Sequence, residues 1–397
     1  MHFNIRHLLC AMQIKEFGTL TQAAKQIHLT QSALTQGINK LEKELGYLLF
    51  SRSHGGMLPT PAGELFLQRI SRAFEHLHEF ASILYGNDKA KRQTFIRSVT
   101  SGQLRALIHV VELQNYTGAG QRLGLSQPTL HRTIKNLQQL CDQALFTRSP
   151  TGVEPSWRAK QLRRYGSLFF AELQQGIEEI SEFNGQMNGS LRVGSLPLAR
   201  TKIVPLSVLR LNDEFPDANI SIIDGPYEEQ FNTLLNGQLD IIVGALRLPL
   251  QHQDIVQLPL FQDQLSIVVK AEHPLATRQT ISATELQQLN WVAPAKSTPA
   301  RHMFSQIFVS RGLAPPSHVI ECSSLVAVRG ILLNSERAAL LPARQVEVEV
   351  RAGLLALCPM TLPGTDREIG LTLRRSWYPT QMQSRFLEII EQISQLA

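Results

Sequence analysis

The sequence of 397 residues contains little cysteine and no long hydrophobic run. Its four cysteines, Cys10, Cys141, Cys322 and Cys358, lie far apart without a C-x-x-C pair, which argues against structural zinc and a disulfide framework. No stretch approaches the ~20 apolar residues that span a bilayer, and the N-terminus does not resemble a signal peptide. We therefore expect a cytoplasmic protein without membrane contact. Its cysteines should be buried and inert, a redox-sensing thiol being the alternative.

The sequence also lacks the motifs of common enzyme classes. It has no nucleophile elbow, no P-loop, no dinucleotide-binding glycine pattern and no metal-ligand spacing. The paired acids Glu228 and Glu229 are interpreted as the solvated start of a helix. These absences predict a protein that is not an enzyme and needs no cofactor or metal. A small-molecule-binding protein or an enzyme built on the second half is the remote alternative.

The net positive charge of the chain comes from its N-terminal half. Residues 1–190 hold 21 Lys and Arg against 14 Asp and Glu, whereas residues 191–397 hold 18 against 19. An excess of basic residues in one half of a chain is typical of a domain that binds a polyanion. The length predicts two or three domains.

A repeat of 96 residues lies within this basic half. LTQSALTQGINKL (29–41) aligns with LSQPTLHRTIKNL (125–137), and LFSRS (49–53) aligns with LFTRS (145–149). The register continues without a gap from Leu8 on Leu104 to Pro59 on Pro155. Such self-similarity indicates a duplicated module, and we place copy one at 1–60 and copy two at 100–157.

Each copy has the pattern of a winged helix-turn-helix. In each copy a third helix has one apolar and one polar face, and in copy one it follows an N-capping residue, Thr30. Amide, hydroxyl and basic side chains on the polar face suit the edges of bases and phosphates in a major groove. The residues predicted to contact DNA are Thr30, Gln31, Ser32, Thr35, Gln36, Asn39, Lys40, Arg52 and Thr60 in copy one, and Ser126, Gln127, Thr129, His131, Arg132, Lys135 and Arg148 in copy two.

Copy one resembles the DNA-binding domain of LysR-type transcriptional regulators. The resemblance rests on GTLTQAAKQIHLTQSALTQGINKLEKELGYLLFSRS (18–53) and LPTPAGE (58–64), and it implies double-stranded DNA as a partner. Copy two departs from the family pattern at Gly120, Gln138 and Asp142 and in its wing (153–158). Its fold is expected to be the same. Its role is either DNA reading or dimerisation and partner docking.

A long amphipathic segment follows each copy, at 61–86 and at 158–187. Each has an apolar seam that needs a partner helix, and the resemblance implies that such linker helices pair in dimers. The polar segment 87–99 is expected to be a tether, whose residues 87–97 would span at most ~36 to 40 Å. Successive major grooves lie ~34 to 36 Å apart. One chain is therefore hypothesised to form a covalent pseudo-dimer, the rival being a homo-oligomer with four modules.

From Ser190 onward, strands alternate with helices, which predicts parallel sheets. We expect an effector-binding domain at 188–397, with lobe I at 188–262 and 368–397 and lobe II at 267–362. This half resembles the LysR-type effector domain, similar in fold to periplasmic solute-binding proteins, on GSLRVG (189–194), GQLDIIVG (237–244), EHPL (272–275) and LLP (340–342). The whole fold is thus predicted as two α-rich winged helix-turn-helix domains with long linker helices, followed by a two-lobed α/β domain.

The resemblance implies that a small-molecule effector binds between the lobes and shifts a two-state arrangement. Hydroxyl groups beside free helix N–H groups would suit a carboxylate or sugar-like effector. The alternative is that these hydroxyls only cap helices. The candidates transferred by position are Ser195, Leu196, Ala245, Ser297, Thr298 and Ser323.

Overall fold

The computed structural model describes residues 3–27, 29–53, 56–150, 152–250, 252–278, 280–296 and 298–396. The first half consists of helices with two short β-hairpins. In chain order these elements are α1 (Ile5–Phe17), α2 (Leu20–Gln26), α3 (Gln31–Leu45), β1 (Phe50–Ser53), β2 (Gly56–Pro59), α4 (Pro61–Tyr85), α5 (Lys89–Ser98), α6 (Ser101–Leu113), α7 (Tyr116–Leu123), α8 (Gln127–Cys141), β3 (Phe146–Ser149), β4 (Gly152–Pro155) and α9 (Trp157–Phe183).

The two copies have equivalent elements, each with three helices, a hairpin and a long helix. The predicted cap of α3 is present, since the Thr30 hydroxyl accepts from Ala33 N. The structure shows the equivalent cap in copy two, where the Ser126 hydroxyl accepts from Thr129 N. The hairpins pair antiparallel in the same register, shifted by 96 residues. The repeat in the sequence therefore corresponds to a repeat in the fold.

The expected extended tether is instead the helix α5, so that prediction is wrong. A helix of 10 residues is only about 15 Å long. Its apolar residues Phe95 and Ile96 are buried, and the Phe95 ring lies 5.5 Å from Phe80 and 6.3 Å from Tyr85. Because this apolar face packs against the end of α4, the segment folds back and does not span between distant modules.

The long helices α4 and α9 pair with each other within the chain. Their seams are buried, with Phe66, Ile70 and Leu77 on α4 facing residues such as Phe169 and Leu173 on α9. The rings of Phe74 and Phe169 meet edge to face at 5.8 Å. One continuous hydrophobic core runs from copy one through the helix pair into copy two.

The second half is built on one mixed sheet with helices packed against it. Its elements are β5 (Ser190–Ser195), α10 (Ile203–Glu214), β6 (Asn219–Ile223), α11 (Tyr227–Leu235), β7 (Ile241–Ala245), β8 (Ile255–Lys270), α12 (Ala283–Gln288), β9 (Trp291–Ala293), α13 (Pro299–Val309), β10 (Val319–Glu321), α14 (Leu325–Leu333), β11 (Ala338–Pro342), a 3₁₀ turn (Ala343–Val346), α15 (Glu347–Arg351), β12 (Leu355–Leu357), β13 (Asp366–Arg374) and α16 (Gln381–Leu396).

The strand order divides this half into two lobes joined by long strands. The order is β10-β9-β11-β8-β13-β7-β5-β6, with β12 beside β8. Strands β5, β6 and β7 are parallel on one side, and β9, β10 and β11 are parallel on the other. Strand β8 is 16 residues long and pairs with β13 along residues 255–264. Its remaining part pairs with both β11 and β12, which lie on opposite edges of β8 at Val268. Separate hydrophobic cores fill the two lobes.

Three of the four cysteines are buried, as expected from their apolar neighbours. Burial raises the pKa of Cys10 and Cys358 to about 11 and that of Cys141 to about 12, so these thiols stay protonated and unreactive. Cys322 differs because it is only partly buried. Within the described ranges, no helix combines the length and the hydropathy needed to cross a bilayer.

Candidate DNA-binding surface and effector cleft

The recognition helix of copy one, α3, presents its predicted polar face to solvent. Gln31, Ser32, Gln36, Asn39 and Lys40 are exposed on it. The amide of Gln31 donates to the Thr21 hydroxyl of α2 at 2.7 Å. This bond ties the start of the recognition helix to the preceding helix. Thr35 is partly buried, and its hydroxyl donates to the carbonyl of Gln31 at 2.9 Å.

The third helix of copy two, α8, has the same position in the fold as α3 but different side chains on its surface. Gln127, Arg132 and Lys135 are exposed on it, while Thr129 is partly buried. The exposed His131 ring stacks on Tyr116 of α7, with centroids 3.8 Å apart and planes 24° apart. The repeat places Leu20 and Thr35 of copy one at these two positions. Copy two therefore presents a stacked aromatic pair where copy one presents an aliphatic residue and a hydroxyl.

The hairpin of each copy carries an exposed arginine at the same repeat position, Arg52 on β1 and Arg148 on β3. Thr60, also predicted to contact DNA, has its hydroxyl bonded twice within the fold. It accepts from Gly63 N at 2.9 Å and donates to the carbonyl of Leu48 at 2.7 Å. Thr60 is therefore the N-cap of α4, and its contact with DNA stays a prediction.

The departures of copy two from the family pattern preserve the local geometry. Glu42 Oε1 of copy one accepts from the backbone N–H groups of residues 49 and 50 at 2.7 and 3.2 Å. Its repeat partner Gln138 makes the same two bonds, at 2.8 and 3.3 Å. Asp142 has φ 53°, in the left-handed region where Gly46 of copy one has φ 80°, and Asp adopts this region more readily than most side chains.

A buried polar cluster that no sequence pattern predicted joins α4, α9 and the effector half. We call it the Arg69 cluster: Arg69, Arg72, His76, Glu172, Gln175 and Glu179. The Arg69 side chain is only 1% exposed. Its guanidinium donates to Glu172 at 2.8 Å, to Gln175 at 2.9 Å and to both oxygens of Glu179 at 2.5 and 2.9 Å.

The same cluster contains a histidine between two carboxylates. His76 Nε2 lies 3.9 Å from Glu172, and His76 Nδ1 lies 3.9 Å from Glu79. Burial alone would lower the pKa of His76, but the two carboxylates raise it above its usual value. Burial would raise the pKa of Glu172, but His76, Arg69 and Arg72 lower it. Both groups are therefore stabilised in their charged forms.

Both linker helices contact one short segment of the effector half, Ser376–Met382, which we call the junction segment. Arg69 donates to the carbonyl of Tyr378 at 2.9 Å, and Arg72 donates to the carbonyl of Ser376. From α9, Glu182 accepts from the hydroxyl of Thr380 at 3.1 Å and from the N–H groups of residues 381 and 382 at 3.1 and 3.3 Å. The junction segment is thus hydrogen-bonded to both linker helices.

The effector candidates of the first lobe follow neighbouring parallel strands. Ser195 ends β5, Ala245 ends β7, and Ser195 pairs in register with Val243. Ser195 is fully buried, and among the described residues its hydroxyl has no hydrogen-bond partner. Leu196 is buried in a hydrophobic cluster with residues of α11, so its side chain serves the core of this lobe.

The candidates of the second lobe follow β9 and β10, which are also neighbours. Thr298 caps α13, since its hydroxyl accepts from Arg301 N at 3.2 Å and donates to the carbonyl of Ala295 at 2.7 Å. Ser323 is exposed and lies two residues beyond the end of β10. Ser297 lies outside the described residues. In each lobe the candidates gather at the carboxyl ends of parallel strands, where ligands of such sheets bind.

Family models match nearly the whole chain. The model described as LysR substrate binding domain matches residues 184–394. The model described as bacterial regulatory helix-turn-helix protein, lysR family, matches twice, at residues 5–64 and 101–160.

Two curated regulators illustrate the similarity in sequence. The HTH-type transcriptional regulator GalR of Pseudomonas putida is 28% identical over 391 residues, which are 98% of this chain and 97% of that protein. CysL of Bacillus subtilis is 30% identical over 238 residues, which are 58% of this chain and 76% of that one.

Solved structures show the same fold. Full-length OxyR from Pseudomonas aeruginosa has a TM-score of 0.56 at 22% identity, covering 75% of this chain and 95% of that one. CbnR, a LysR family regulator, has a TM-score of 0.52 at 19% identity, covering 75% and 99%. Each structure is matched over almost its full length, while a quarter of this chain has no counterpart in it.

Proposed function

The chain belongs to the LysR family of DNA-binding transcriptional regulators with an effector-binding domain, and we propose that a single chain presents two recognition helices as a covalent pseudo-dimer. The observation that carries this proposal is the pairing of α4 with α9 inside one chain, through the Phe74–Phe169 contact and the Arg69 cluster. The relatives GalR and CysL are transcriptional regulators.

We propose that both copies read DNA. Copy two supports this role because α8 keeps an exposed polar face, and Arg148 keeps the position of Arg52 on the hairpin. The side chain of Gln138 also accepts a hydrogen bond from the backbone at the start of the hairpin, as Glu42 does in copy one. A copy that served only for docking would have no need of a third helix with Arg132 and Lys135 exposed on its polar face.

The two half-sites are proposed to differ in sequence. Copy one offers Gln31, Gln36 and Asn39, whose amides suit adenine edges, whereas copy two offers Arg132 and Lys135, which suit guanine edges or phosphates. The His131–Tyr116 stack further changes the surface at the centre of α8. A palindromic operator is therefore not required by this chain.

We also propose how an effector would act. A small carboxylate or sugar-like molecule would bind between lobes that close like those of periplasmic solute-binding proteins, near Ser195 and Thr298. The Ser195 hydroxyl, which has no hydrogen-bond partner in the described part of the chain, supports a polar ligand there. Closure would move the junction segment, and through Arg69, Arg72 and Glu182 it would change the angle between the recognition helices.

Genomic binding-site mapping and footprinting of the wild type and of an Arg132→Ala/Lys135→Ala variant test this function. The pseudo-dimer predicts a site of two unequal halves, one of which loses protection in the variant. An unchanged footprint in the variant would assign copy two to docking. A monomeric chain protecting two halves supports the pseudo-dimer, whereas a dimer protecting a much longer region contradicts it.

A further inference from the structure

The linker helices α4 and α9 are repeats of each other, yet the faces they bring together are unlike. A shift of 96 residues relates each position on α4 to one on α9. The equivalent pairs at the contact are Arg69 with Tyr165, Arg72 with Leu168, His76 with Glu172, Glu79 with Gln175, Phe80 with Gly176, and Ile83 with Glu179. The two arginines of α4 thus correspond to uncharged residues on α9, His76 and Ile83 correspond to glutamates, and Phe80 corresponds to a glycine.

Shape is the first difference. Gly176 of α9 packs so closely on α4 that a Cβ atom there would lie 2.8 Å from Phe66 Cδ2 and 3.0 Å from Arg69 Cβ. The equivalent residue on α4 is Phe80. If α4 of one chain paired with α4 of a second chain in this geometry, the Phe80 ring would have to occupy the space that now fits only a glycine.

Charge is the second difference. In a pair of two α4 helices, Arg69 would meet His76 in place of Glu172 and Ile83 in place of Glu179, with Glu79 as its remaining carboxylate. In a pair of two α9 helices, Tyr165 and Leu168 would replace the cations, and Glu172 would face another Glu172. Burying a charge without its partner is strongly unfavourable. The α4 pair would leave Arg69 without Glu172 and Glu179, and the α9 pair would leave the carboxylates without their cations.

We propose that this asymmetry of shape and charge makes α4 and α9 select each other, so that a second copy of this chain cannot pair its linker helices with this one like-with-like. The partner surface of α4 is the α9 face of the same chain. The DNA-binding half is then a unit within one chain, in which two different recognition helices, α3 and α8, have one fixed arrangement. This proposal rests on the proposed pseudo-dimer and explains how that arrangement excludes the homotypic alternatives.

The test replaces Glu172 and Gly176 of α9 by the residue types found at the equivalent positions of α4, His76 and Phe80. In the full chain, the Glu172→His/Gly176→Phe variant places a histidine and a phenylalanine where the homotypic pair would have them. We expect the melting temperature (Tm) to fall by roughly 5 °C or more, and affinity for DNA with both half-sites to fall about tenfold. The matched control is Gln174→His, which transfers the residue equivalent to His78 to an exposed position of the same helix and should leave the Tm unchanged.

A second variant separates selection from simple misfolding. Phe66→Ala/Gly176→Phe creates space opposite the new ring, and its loss of Tm should be smaller than the sum of the two single losses. A wild-type Tm for Glu172→His/Gly176→Phe, or losses that simply add in the double variant, would overturn the proposal. Because the Tm is measured without DNA, a chain that bound no DNA would contradict the proposed function while leaving this result intact.

Discussion

His76 of α4 and Glu172 of α9 occupy the same position of the 96-residue repeat and face each other, with His76 Nε2 3.9 Å from Glu172 Oε1. In a symmetric dimer, a residue that meets its own equivalent lies on the two-fold axis. The pseudo-two-fold axis of this chain therefore passes between a basic and an acidic side chain. The duplication has allowed the two sides of the axis to become different.

This pair predicts that the stability of the DNA-binding half depends on pH through His76. Its pKa is raised in the folded state above the ordinary value of about 6.5. The stabilisation is therefore fully present below about pH 6.5 and is lost as the pH rises through the raised pKa. Urea unfolding of the wild type and of His76→Gln at about pH 6 and about pH 8.5 should show a stability difference that shrinks at the higher pH.

His78 on the same helix provides the control for this titration. Burial, together with Arg92, lowers the pKa of His78, so its protonation on acidification is destabilising and its effect has the opposite sign. His78→Gln should therefore improve stability at low pH relative to the wild type. A stability difference for His76→Gln that stayed constant across this range would show that His76 is not charged in the folded chain.

Removal of Arg69 is predicted to be among the most damaging single substitutions. Arg69→Met leaves the carboxylates of Glu172 and Glu179 without their main cation in a buried site, and breaking such a pair costs about 3 to 5 kcal/mol. Arg69→Lys should recover little, since an ammonium group cannot reproduce the paired bonds to Glu179. Urea unfolding measures both, with Arg97→Ala at an exposed position of α5 as the control.

The sequence predicted those parts of the fold that depend on local pattern. Thr30 marks the start of α3 because its hydroxyl caps the very next turn, and the apolar seams of α4 and α9 follow from helical periodicity. The helix α5 was missed because its cations outnumber its apolar residues. Its two buried residues, Phe95 and Ile96, are stabilised by contacts with α4 that no local pattern records.

The Arg69 cluster was missed for a related reason. Arg69 lies beside the apolar residues of the α4 seam. A single arginine in that position is usually interpreted as lying at the border of the apolar face with its charged group in solvent. Its partners Glu172 and Glu179 are 103 and 110 residues away in the chain, so only the pairing of the helices reveals them. Ser195 and Ala245, transferred by position from the family resemblance, lie at the ends of neighbouring parallel strands, and their contact with an effector stays a prediction.

Gln138 is predicted to replace Glu42 in function as well as in position. Its side-chain oxygen accepts from the N–H groups of Leu145 and Phe146 at the base of the hairpin. Gln138→Ala leaves these two donors without that acceptor and should lower the free energy of unfolding by about 1 to 3 kcal/mol. Gln138→Glu keeps the acceptor and should be nearly neutral. Equal losses of stability in the two variants would contradict this role.

The last prediction concerns what copy two contributes on DNA. If Arg132 contacts a base edge, Arg132→Ala should weaken binding by about 1 to 3 kcal/mol and relax the base preference at one position of one half-site. Lys135→Ala should instead weaken binding to all sequences and reduce the steepness of the salt dependence by about one. Fluorescence anisotropy with DNA of varied half-sites at several salt concentrations separates the two effects. Arg210→Ala, exposed on α10 of the effector half, is the matched loss of one positive charge. If it weakened binding as much as Arg132→Ala, the effect would come from net charge and not from a recognition helix.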